Sequence, residues 1–117
     1  MGFGSNAIWT GTVTNPGNVG WMTEYAAAEQ NPPGCTFDVY VNDSAEAVAQ
    51  RHADAYNAQT GPEYSATVDP PGGRIIRFSP ANVAGMAVNG SPLMPAGPGV
   101  TMVGDTGMSV KVFSQDV

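Results

Sequence analysis

The stretch TFDVYVNDSAEAVAQRHADAYNAQTGPEYSATVDPPGGRIIRFS, residues 36–79, decides the fold. It opens with an alternation in which Phe37, Val39 and Val41 share one face, the two-residue period of a half-buried strand. Asp43 then stands where a helix N-cap belongs, with Glu46 three residues on in a capping-box-like arrangement. From there the period becomes helical. Ala45, Val48, Ala49, His52 and Tyr56 fall on one face, which predicts a helix over about 44–59. Gly61 tolerates a left-handed stop and Pro62 prevents resumption. Tyr64, Ala66 and Val68 alternate again, and Pro70-Pro71-Gly72-Gly73 turns the chain. Arg74–Ser79 returns with Ile76 and Phe78 on one face and Ile75 and Arg77 on the other, making a hairpin.

Working outward, residues 6–14 have the β-branched and aromatic content of a strand, and Asn15-Pro16-Gly17-Asn18 reads as a turn. The alanine run within 21–30 suggests a short helix, stopped at Asn31-Pro32-Pro33-Gly34. Residues 80–99 hold four prolines and no long periodic stretch, so a meandering loop is expected, with a brief strand at Ala84–Val88 as the exception. Val100–Val103 and Met108–Ser114 form a final strand pair around Gly104-Asp105-Thr106-Gly107, with Met108, Val110 and Val112 inward. The expected fold class is α+β: mainly antiparallel β with one central helix and long Gly/Pro-rich loops. It forms a single domain over 1–117, with an extended N-terminal segment at 1–8.

Three short stretches carry a resemblance: Ser44-Ala45-Glu46-Ala47-Val48-Ala49, Ala55-Tyr56-Asn57-Ala58 and Tyr64-Ser65-Ala66-Thr67-Val68, followed by the return strand Arg74-Ile75-Ile76-Arg77-Phe78. Together they make residues 36–80 resemble a strand–helix–hairpin module of flagellar hook and filament proteins and of phage tail-sheath and other virion proteins. The motifs are small and apolar, and they span about 45 of 117 residues. The resemblance implies a building block of an extracellular or virion assembly and brings no catalytic residue with it.

Composition points the same way. Only 12% of the 117 residues are charged, about half the usual share, whereas 42% are hydrophobic. Much of the surface must then be uncharged, and such a surface loses little on desolvation against copies of itself or a partner. Low lysine usage in the source explains the same figure without any partner. The net charge is −6, with Arg51, Arg74, Arg77 and Lys111 the only cations, too few and too scattered for nucleic acid or an anionic membrane. No stretch approaches the ~20 apolar residues of a membrane span. No signal peptide is visible, so the two glycosylation sequons at Asn42 and Asn89 read as coincidental. The expected location is a virion assembled from protein made in the host cytoplasm.

Each candidate for chemistry has a structural explanation beside it. Asp105-Thr106-Gly107 is the tripeptide that carries the catalytic aspartate of aspartic proteases, but only ten residues follow it and a β-turn accounts for it. His52 is the sole histidine and lies on the helix face with Val48 and Tyr56, as a histidine at the core's edge would. Cys35, the sole cysteine, forms no intrachain disulfide and reads as a small buried filler, unless the fold brings it to His52. The acidic residues lack the spacing of a calcium loop, though Asp38 or Asp43 with backbone oxygens leaves a single calcium open. Trp9, Trp21, Tyr25 and Tyr40 suit a sugar-binding face or, more simply, a core or an interface. No catalytic, cofactor-binding or metal residue is assigned.

The expected function is therefore that of a non-enzymatic capsid decoration protein, which stabilises a shell. A phage neck or tail component, and a small carbohydrate- or surface-binding module, are the alternatives. The expected partners are copies of the chain and a major capsid or tail protein. The charge-poor flanks 1–8 and 80–99 are expected to make the contacts, with Phe3, Ile8, Trp9, Trp21, Leu93 and Met94 as interface candidates.

Overall fold

A computed structural model of the chain describes residues 6–23, 35–59, 65–79, 83–93 and 99–113. Within them the chain forms nine strands and one helix: β1 (Asn6–Gly11), β2 (Gly17–Thr23), β3 (Cys35–Val39), α1 (Ala45–Gln59), β4 (Ser65–Val68), β5 (Ile75–Ser79), β6 (Val83–Val88), β7 (Ser91–Pro92), β8 (Gly99–Met102) and β9 (Met108–Phe113). The class is α+β and mainly antiparallel β, as the alternating stretches imply.

The strands divide into two sheets, one in the order β4-β5-β1-β9-β8 and the other β3-β2-β6-β7, with every neighbouring pair antiparallel. Inner-face residues of both sheets, Ala7, Trp9, Ile76, Phe78 and Val110 from one and Val19, Trp21, Phe37 and Met86 from the other, belong to one buried cluster. α1 contributes Ala45, Val48, Ala49, Ala53 and Tyr56 to the same cluster. It packs against β3 and β4, the edge strand of each sheet on that side, and so closes the opening between them.

The helix and the 65–79 hairpin match the sequence reading closely, and Met108, Val110 and Val112 are buried. Three details differ for local reasons. β3 ends at Val39, and Val41 is 51% exposed, because residues 40–43 form a turn with Asn42 at φ 75°. The helix N-cap is Ser44 in place of Asp43: the Ser44 Oγ accepts the Ala47 N–H at 3.1 Å. Asp43 instead uses Oδ2 to accept the Tyr40 N–H at 2.8 Å and to hold Arg51 at 2.6 Å. β1 stops at Gly11, whose φ of +107° turns the chain out of the sheet, with Thr12 bridging to Ser44.

The expected loop over 80–99 is the larger correction, although the brief strand expected at Ala84–Val88 is present within β6. That stretch contains β6 and β7, joined by Asn89-Gly90, which hold φ of 49° and 80° as a two-residue hairpin turn requires. Trp21 likewise belongs to β2, not to a helix, and the rest of the helix expected over 21–30 lies outside the described residues. Phe3, Tyr25 and Met94 also lie outside them.

Candidate functional site

The titratable group singled out in the sequence, His52, sits deeper than a core-edge position. It is fully buried, with the rings of Trp21, Phe37, Phe78 and Trp9 centred 4.6, 4.9, 5.5 and 5.8 Å from its own. The Trp9 indole Nε1–H donates to His52 Nδ1 at 3.1 Å. An indole nitrogen can only donate, so Nδ1 is the bare nitrogen and the ring proton lies on Nε2. Neither His52 Nε2 nor Trp21 Nε1 finds a partner among the described residues. Burial in this apolar nest pushes the imidazole pKa down to about 3. A ring so placed does not exchange protons with a substrate at neutral pH; it fills and orients the centre of the core.

Cys35 is also fully buried, opposite Trp21 in the β2–β3 pair, and burial pushes its thiol pKa up to about 12. A thiol held protonated in this way is a poor nucleophile and a poor metal ligand. Asp105 is exposed at the tip of the β8–β9 turn. Its neighbour Thr106 is buried, donates through Oγ1 to the Val103 carbonyl at 2.7 Å and accepts the Met108 N–H at 3.2 Å. The Thr106 carbonyl in turn accepts the Thr14 N–H at 2.7 Å. Gly107, at φ +86°, leaves no room for a side chain, since a Cβ would lie 2.7 Å from Thr14 Oγ1. The Asp-Thr-Gly tripeptide is thus a turn anchored to the β1–β2 connection. Among the described residues, no group of three His, Cys, Asp or Glu is placed to hold a metal ion, and no helix is long and apolar enough to cross a membrane.

The interface candidates separate. Trp9 and Trp21 are fully buried, their rings 6.5 Å apart, so they join the two sheets and are not available to a partner. Leu93 is half-buried against the core. Ile8 is half-buried on the outer face of the five-stranded sheet, and that face is the surface feature the sequence reading missed.

The strand registers assemble it row by row. Val100, Lys111, Ile8 and Ile75 lie side by side across β8, β9, β1 and β5; Met102, Ser109 and Thr10 form a second row; Phe113, Asn6, Arg77 and Thr67 a third. Val100 is 68% exposed and Met102 58%. The five strands contain no Asp or Glu, although the chain has ten. Their cations are Lys111 and Arg77, and Arg77 is paired with Asp69 at 2.7 Å. The described acidic residues lie elsewhere, Asp38, Asp43, Glu46 and Asp54 around β3 and α1, Asp69 and Asp105 in turns. No protein-family model matches this chain, and neither does any curated protein or solved structure.

Proposed function

We propose that this chain is a non-enzymatic structural protein of a virus particle, a decoration protein that stabilises a capsid shell by laying the outer face of its five-stranded sheet against it. The observation that carries the reading is the segregation of charge: an acidic chain keeps its largest sheet free of carboxylates and exposes Val100 and Met102 on it. Such a face gives up little hydration when covered. The resemblance of residues 36–80 to a module of virion and flagellar assemblies supports reading the chain as a building block of an assembly. A sugar-binding module finds less support, because Trp9 and Trp21 are core residues and the Arg51 guanidinium covers the Tyr40 ring at 5.2 Å.

The test is co-sedimentation of the purified chain with particles from the same source, followed by reconstruction of the complex. The expected result is saturable binding to the shell, weakened by Ile8→Lys with Ile75→Lys. Density confined to the neck or tail would move the chain to that position. Failure to associate with any part of the particle would overturn the reading.

A further inference from the structure

We propose that β8 is a self-pairing edge, through which two copies of this chain join their five-stranded sheets across a two-fold axis at Thr101. The inference deepens the assembly reading by naming a partner for the sheet, and it can fail independently of that reading.

The two sheets have four edge strands, and three of them are protected. At β4, the Asn57 side chain on α1 occupies the outward backbone of Ala66: its Oδ1 accepts the Ala66 N–H and its Nδ2 donates to the Ala66 carbonyl, both at 2.8 Å. At β3, Arg51 on the same helix donates to the outward Asp38 carbonyl at 3.0 Å. β7 is two residues long, and its Pro92 has no N–H to offer. Among the described residues, β8 carries none of these devices. It is Gly-Val-Thr-Met, with no charge and no proline, and its pairing with β9 runs without a bulge.

The pairing geometry selects a second copy as the occupant. Val103 N–H donates to the Met108 carbonyl at 2.9 Å, so in the alternating pattern of an antiparallel ladder Thr101 also turns its backbone groups towards β9. Val100 and Met102 then turn theirs away, and these are the exposed apolar residues of the strand. An antiparallel copy centred on Thr101 sets Val100 opposite Met102 of the other copy, and Met102 opposite Val100. This one register directs four backbone hydrogen bonds to the four outward-facing residues and covers each exposed apolar side chain with an apolar one. Thr101 meets Thr101 on the axis, a favoured cross-strand pair. Charge does not oppose the union. Lys111, in β9, is the only charged residue of the two strands nearest the axis, and three strand spacings, roughly 14 Å, would separate the two copies' Lys111 positions, beyond the Debye length of ~8 Å. The product is a ten-stranded sheet whose outer faces run together.

Sedimentation equilibrium of the full chain, over concentrations reaching about 1 mM where small interfaces dissociate, should show a monomer–dimer equilibrium. Met102→Lys, at an exposed site, should weaken dimerisation at least tenfold with an unchanged circular dichroism spectrum. Thr101→Cys tests the register: two axial Cα atoms of a non-hydrogen-bonded pair lie ~4.5 Å apart, within disulfide reach, whereas the Val100 positions of the two copies would be about 8 Å apart. Under mild oxidation Thr101→Cys should cross-link and Val100→Cys should not, and the buried Cys35 does not compete. A monomer at every concentration, a dimer indifferent to Met102→Lys, or cross-linking through Val100→Cys in place of Thr101→Cys each overturns the proposal. A chain that binds particles as a monomer would overturn the self-pairing alone, and a dimer that ignores particles would overturn the assembly reading alone.

Discussion

Burying His52 among four aromatic rings makes stability depend on that one imidazole staying neutral. The folded ring takes up a proton only near pH 3, whereas the unfolded chain takes one up near the ordinary value of 6.5. Protons therefore favour the unfolded state throughout that window. The full contribution is present above about pH 6.5, declines as the pH falls, and is gone near pH 3, at a slope of about 1.4 kcal/mol per pH unit. Asp43, whose carboxyl the Arg51 guanidinium holds below its ordinary 3.8, acts in the same direction but at lower pH. The interval from pH 6.5 to 4.5 thus isolates the histidine, and the native chain should lose roughly 2–3 kcal/mol across it. His52→Phe should be less stable at pH 7 by about 1–3 kcal/mol, because the Trp9 indole N–H loses its acceptor. Its stability should nevertheless change less with pH. Urea titrations at the two pH values measure both quantities, and parallel pH slopes for the two proteins would refute the assignment.

At the scale of elements, α1 is the part that joins the sheets, and it does so with polar as well as apolar side chains. Asn57 stands in for a missing neighbour of β4 by making both hydrogen bonds that a sixth strand would make to Ala66. Asn57→Ala should cost about 1–2 kcal/mol, two partly exposed hydrogen bonds less the better helix propensity of alanine. Hydrogen exchange gives the local readout, since the Ala66 amide should exchange faster while Val48 on the helix interior does not; equal protection of Ala66 in both proteins would contradict this role. The helix itself was legible in the sequence, because its period and its stop are written in neighbouring residues. The hairpins over 65–79 and 99–113 were legible for the same reason. The cap was misplaced by one residue because Asp43 and Ser44 are both good cap formers, and the Tyr40 N–H together with Arg51 draws the Asp43 carboxylate away. Asn89-Gly90 is the strongest short hairpin signal in the chain, and its overlap with a glycosylation sequon together with the surrounding prolines obscured it.

For the molecule as a whole, the strand order is what the sequence could not convey. β1 lies beside β9, with Asn6 opposite Phe113, and β2 lies beside β6, so the central pairings of both sheets join distant segments. No local period encodes such partners, and the outer face of the large sheet became visible only when their registers were known. The same long-range wiring argues that the protein unfolds as one unit. Trp9 belongs to one sheet and Trp21 to the other, their rings lie 6.5 Å apart, and His52 of the helix touches both. Neither sheet can open without exposing a tryptophan from the shared cluster, and Cys35, in β3 behind Trp21, is released by the same event. Tryptophan fluorescence, far-ultraviolet circular dichroism and the reaction of Cys35 with an aromatic disulfide reagent should therefore give one common midpoint in urea, the behaviour of a two-state transition. The thiol should be inert below it, as a buried, protonated sulfur is. A Cys35 that reacts well before the circular dichroism changes would mean that the smaller sheet opens alone, and that the aromatic cluster does not bind the two sheets into one cooperative body.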